Sequence, residues 1–207
     1  MKHIIAPLLF ASSLFAQPVS VGIKGGVPIT DFFDTIRGND TGYATNTKRY
    51  LVGPTVEFHL PARLSIEVDA LYKRIGYQYD QSILNDSLSR RTVANSWEIP
   101  VLLKWEVIPG PVRPFVGAGI SFRHISGIKQ IRNVAGTVTE LPDAVEFNKG
   151  NDIGFTGGVG VAFKAGRVRI SPEFRYVRWG SENFRDPIRS LLRTNRNQGD
   201  FILGFTF

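Results

Sequence analysis

The chain has 207 residues, 43% of them hydrophobic, with 21 Gly, 12 Pro and no Cys. That length suits one domain, the apolar content excludes a disordered chain, and the lack of cysteine excludes a disulfide framework and a thiolate metal site. The formal charge of +7 arises from Lys and Arg interleaved with Asp and Glu along the chain, so no basic stripe marks a nucleic-acid interface.

Met1 to Ala16 read as a secretory signal peptide. Lys2 supplies the charged start, Ile4 to Phe15 the apolar run, and Ala16 a small residue before the cut at Gln17. Leu14, three before the cut, is larger than ideal. Two units are expected: 1–16 as the signal and 17–207 as the folded domain. No later run of 18 or more apolar residues offers a transmembrane helix.

Beyond Gln17 the sequence alternates with the strand period of two. Val19, Val21, Ile23 and Val27 share one parity, followed by Tyr50, Val52, Val56, Phe58 and Leu60. Leu64, Ile66, Val68, Ala70 and Tyr72 come next, then Trp97, Ile99, Val101, Leu103, Trp105 and Val107. Val116, Ala118, Ile120 and Phe122 form a fifth set, and Ile153, Phe155, Val159, Val161 and Phe163 a sixth. Val168, Ile170, Phe174 and Tyr176, then Phe201, Leu203, Phe205 and Phe207, complete eight. The connections 28–48, 79–92, 124–151 and 180–197 are long and polar, whereas 61–63, 108–112 and 164–167 are short. Short turns at one end and long loops at the other predict an all-β fold, an eight-stranded antiparallel up-and-down transmembrane barrel.

A soluble barrel would place its apolar face inside. Three features favour a membrane barrel with that face outside. The polar parity carries full charges among small Gly, Ser and Thr, which suits a narrow lumen. Trp97 and Trp105 share a face eight residues apart, which is roughly 20 Å along the membrane normal and close to the spacing of two aromatic girdles. The chain also ends on a strand closed by Phe207. Pro54, Pro100, Pro114 and Pro172 fall inside these strands, and a bulge or local irregularity is expected at Pro54 and Pro100 because each lacks a ladder donor. Arg178 has the lipid-facing parity and is expected to snorkel at the outer rim.

The stretch Arg113-Pro114-Phe115-Val116-Gly117-Ala118-Gly119, the strand Pro172-Glu173-Phe174-Arg175-Tyr176 and the ending Phe201 to Phe207 resemble the outer-membrane β-barrel domain family. Its members are the eight-stranded OmpA/OmpX-like barrels. The resemblance covers the mature chain and implies residence in the bacterial outer membrane, after export through the periplasm. It also implies that Phe207, with Phe205 and Leu203, forms the signal read by the barrel-assembly machinery. The peptidoglycan-binding domain of full OmpA-type proteins is not expected after Phe207.

The inward parity collects Lys24, Glu57, Glu67, Asp69, Lys73, Glu98, Lys104, Glu106, Arg123, Arg169, Glu173 and Arg175. Paired carboxylates could serve acid–base chemistry. Similar numbers of both signs in a narrow interior instead predict a cross-lumen ion-pair network and a plugged lumen. His124-Ile125-Ser126 with Glu140 is similar to the site of lipid A deacylase barrels. In that family, however, the pair lies on the strand before the last, and Glu173 to Trp179 has neither residue in place. His3 and His59 support no metal site. Arg185, Arg189, Arg193 and Arg196 lie in a loop that could hold lipopolysaccharide phosphates. The expectation is a monomeric, non-enzymatic envelope or surface protein without cofactor, metal or nucleic-acid partner. A lipid A-modifying barrel enzyme and a narrow solute pore are the alternatives.

Overall fold

The computed structural model describes residues 19–35, 42–45, 47–83, 86–134, 137–142, 150–181, 183 and 192–207. The expected signal segment lies outside them. Eight strands close into a ring by antiparallel pairing of each with the next. They are β1 (Val19–Pro28), β2 (Leu51–His59), β3 (Leu64–Asp69 and Leu71–Ile83) and β4 (Asp86–Glu106). The ring continues with β5 (Val112–Val134), β6 (Asn151–Ala165), β7 (Val168–Trp179) and β8 (Asn197–Thr206). Closure is by β1 against β8, where Ile23 faces Phe205 and Gly25 faces Leu203. No helix of the described residues is long and apolar enough to cross a membrane.

Period-two patterning sets the two faces. Ile23, Trp97, Leu103, Trp105, Phe155 and Phe174 are among the large apolar side chains exposed on the outside, while Lys24, Glu67, Glu98, Lys104, Glu173 and Arg175 are buried inside. An outer surface of this kind is stable only against hydrocarbon. Tyr72 and Trp97 form a tilted ring pair on that surface, 5.2 Å between centroids.

The third and fourth strands are longer than their alternation predicts. β3 and β4 stay paired up to Ile83 opposite Asp86, so the expected loop 79–92 is a hairpin. β5 likewise runs on to Val134 and pairs with the short strand Thr137–Leu141, which removes much of the expected loop 124–151. Another short strand, Gly42–Thr45, pairs with β3. β4 and β5 have 21 and 23 residues, whereas ~9–11 suffice to cross a bilayer. Their upper halves therefore extend beyond the hydrocarbon, where the outer face no longer meets lipid and need not be apolar.

Pro54 and Pro100 act on one spot. Extending the registers of β3 places Pro100 opposite Asp69 and Pro54 opposite Ala70. β3 is interrupted at Ala70, although the Ala70 amide still donates to the Pro54 carbonyl. Each proline removes the reciprocal donor on its side of the strand. A bulge occurs elsewhere, at Ala94, where Gly127 and Ile128 both stand opposite that one residue. Gly127 has φ +60°, the left-handed geometry of a glycine-type bulge. The extra residue turns Ile128 and Gln130 inward, in line with Ile125 below them.

Candidate functional site: the occluded lumen

The centre of the lumen is a charge cluster drawn from four strands. Lys24 on β1 bonds Glu67, Asp69 at 3.3 Å and Glu173 at 3.1 Å. Arg175 on β7 contacts the same three carboxylates, with Glu173 and Asp69 each at 2.7 Å and Glu67 at 3.0 Å. Lys104 on β4 adds a third cation 2.8 Å from Glu67. Three carboxylates thus meet three cations in a dry interior, which offsets much of the desolvation cost of each. Backbone room is part of the design: a Cβ at Gly158 would lie 2.7 Å from Glu173 Oε1.

The cluster extends towards the short turns. Glu57 accepts from Ser65 at 2.6 Å and Arg169 at 3.3 Å, and Arg169 also reaches Glu106 at 3.3 Å. Arg113 joins Glu106 at 2.9 Å. Towards the long loops Lys73 pairs with Glu98 at 2.6 Å and donates to Gln198, whose oxygen also accepts from the Trp179 indole. Arg123 pairs with Asp152 at 2.8 Å and lies over the rings of Trp179 and Phe32.

Above this level the lumen is apolar. Phe32, Ile75, Tyr77, Ala94, Ile125 and Ile128 form one buried cluster. Phe32 comes from the segment after β1, held by Ile29 N–H on the Gly199 carbonyl and by the Gly199 amide on Thr30 Oγ1. The sequence reading missed this plug, because Phe32 lies outside any strand pattern. It also missed Asp152, Arg113 and Asp200, although Asp200 carries the inward parity of β8. The eleven residues Lys24, Glu57, Glu67, Asp69, Lys73, Glu98, Lys104, Arg123, Arg169, Glu173 and Arg175 all face the lumen.

The remaining candidates lie at the ends. Leu203, Phe205 and Phe207 have the outward parity of β8, and Phe207 is exposed. Arg178 is exposed near the outer rim and donates to Asn197. Arg196 donates to the Gly180 carbonyl at 3.3 Å, and the Arg193 backbone pairs with Asp34. Arg185 and Arg189 lie outside the described residues. His124 is exposed and bonds Asn151 at 2.7 Å, while Glu140 pairs with Lys129 at 2.8 Å. Neither contact orients His124 towards Ser126. Among the described residues no group of three His, Asp or Glu side chains is placed to hold a metal.

A closed ring, an apolar exterior and a charged interior are the marks of a membrane barrel, and the family described as outer membrane protein beta-barrel domain matches residues 15–180. The chain belongs to that family. It is a bacterial outer-membrane β-barrel, with membrane lipid against its apolar exterior. OprG from Pseudomonas aeruginosa has a similar structure, with a TM-score of 0.56, 13% identity, and coverage of 91% of this chain and 92% of that one. Neisserial surface protein A aligns at a TM-score of 0.44 and 12% identity, covering 91% and 95%. Ail of Yersinia pestis aligns at 0.39 and 11%, covering 91% and 96%. At such identities the likeness to OprG is one of fold alone. No curated protein matches the chain.

Proposed function

We propose that this barrel is a non-enzymatic, monomeric envelope protein that acts through its extracellular surface and conducts no solute. The observation that carries this reading is the lumen, filled in succession by ion pairs, the Arg123 stack and the apolar cluster around Phe32. What remains to act is outside: the upper halves of β3, β4 and β5 with their flanking short strands, and the loops around them. Arg185, Arg189, Arg193 and Arg196 would bind lipopolysaccharide phosphates there, since guanidinium forks match phosphate oxygens. Leu203, Phe205 and Phe207 would serve as the barrel-assembly signal.

Planar-bilayer recording tests the closed lumen: the reconstituted protein should give no unitary conductance, and regular channel events would overturn the reading. Lipid A profiling tests the absence of chemistry. Cells carrying the wild type, His124→Ala or Ser126→Ala should yield the same lipid A species, and a species present only with the wild type would restore the enzyme.

A further inference from the structure

The short-turn end of the barrel holds a vestibule of about 730 Å³ that ends blindly on the charge network. This volume lies in the range of small-molecule sites. Its lining is strongly biased in charge: Arg63, Arg113, Lys164, Arg167 and Arg169 surround it, against Glu106. Glu106 is bonded to both Arg113 and Arg169, and Arg169 also to Glu57, so the floor is balanced and the excess positive charge lies with Arg63, Lys164 and Arg167 at the turns. Arg63 is tied to the Val107 carbonyl through one guanidinium nitrogen. Lys164 and Arg167 lie at the tight β6–β7 turn, exposed, and make no side-chain hydrogen bond or ion pair with the described residues. Leu60 and Phe207 are among its apolar lining residues.

We propose that this vestibule is a binding site for a small multivalent anion bearing phosphate or carboxylate groups, entering from the periplasm. Four guanidinium groups and one ammonium converge on one cavity, and guanidinium forks match the paired oxygens of either group. Low-dielectric barrel walls strengthen the attraction relative to an open surface. The apolar wall would accommodate a short carbon skeleton. The site is separate from the extracellular surface invoked above, so the two readings stand or fall independently.

The test is isothermal titration of the purified full barrel in non-ionic detergent with pyrophosphate, citrate and, as a neutral control, glycerol. Saturable one-to-one binding of pyrophosphate or citrate, absent for glycerol, is expected at an ionic strength of about 0.05 M and should weaken at about 0.5 M. The tighter of the two anions identifies the source chemistry. The double variant Lys164→Ala/Arg167→Ala should weaken binding by about tenfold or more. Its heat-modifiable gel migration should be unchanged, because both side chains sit on an exposed turn. Charge reversal in Lys164→Glu should weaken binding further than Lys164→Ala. Absence of saturable binding, a stoichiometry well above one, or an affinity indifferent to both sets of turn variants would overturn the site.

Discussion

Arg123 lies 4.0 Å over the ring of Trp179, deep in the lumen, with the Phe32 ring 4.8 Å from the same guanidinium. Cation–π contacts of this desolvated kind reach about 2 kcal/mol. Here they join the charged middle of the lumen to its apolar top, and Asp152 balances the charge. Trp179→Ala should therefore destabilise the barrel by ~3–5 kcal/mol, the usual loss for a large buried aromatic, read from urea unfolding in lipid vesicles. Phe32→Ala/Trp179→Ala should further convert a silent bilayer to one with measurable ion leak. A double variant as silent as the wild type would show that the ion pairs below suffice to seal the lumen.

Lys24 touches three buried carboxylates, so its removal leaves Glu67, Asp69 and Glu173 with Arg175 and Lys104 alone. Removing one partner from a buried network costs about 3–5 kcal/mol because the remaining charge is uncompensated. Lys24→Met should show a loss of that order in vesicle unfolding. Lys24→Met/Glu173→Gln should recover part of it, since one carboxylate goes with the ammonium, and a double-mutant cycle gives the coupling directly.

The strand faces were legible because lipid on one side and ion pairs on the other impose opposite chemistry on successive residues. Leu103 and Trp105 had to face out once Lys104 faced in. The same logic failed where lipid ends. Tyr77 and Tyr79 belong to a long hairpin that continues above the bilayer, where Ile75, Tyr77 and Tyr79 take the inward parity of Lys73, the reverse of the apolar parity lower on the strand. Phe32 was illegible for another reason: a lone aromatic in a polar connection gives no sign that the chain folds back into the barrel. Asp152 pairs with Arg123 across the β5–β6 ladder, where the two are register partners. That pairing could be read only after the start of β6 was set two residues earlier than the alternation suggested.

Gly158 is a packing requirement of the network. An added Cβ would meet Glu173 Oε1 at 2.7 Å, and Glu173 is held on its other sides by Lys24 and Arg175. The carboxylate cannot withdraw without breaking those bonds. Gly158→Val should cost ~1–3 kcal/mol, as overpacking commonly does, and should lower the urea midpoint. Gly157→Ala, next along β6, meets only the Gly117 carbonyl at 3.8 Å and should leave the midpoint in place.

Glu173 and Asp200 are both buried carboxylates, yet they should respond in opposite directions to the same isosteric change. Glu173 accepts from Lys24 at 3.1 Å and Arg175 at 2.7 Å. Asp200 is buried on β8, has no cation within ion-pair distance among the described residues, and leaves Oδ1 without a hydrogen-bond partner. A buried charge without a partner is a net cost, whereas one in a satisfied network is not. Glu173→Gln should therefore destabilise the barrel at neutral pH by several kcal/mol, in line with the loss of a buried ionic partner. Asp200→Asn should leave stability unchanged or raise it, because the amide keeps the shape and removes the uncompensated charge. Parallel urea titrations of the two variants in vesicles at pH 7 provide the comparison. A loss at Asp200→Asn as large as that at Glu173→Gln would mean that Asp200 is held by contacts of equal strength.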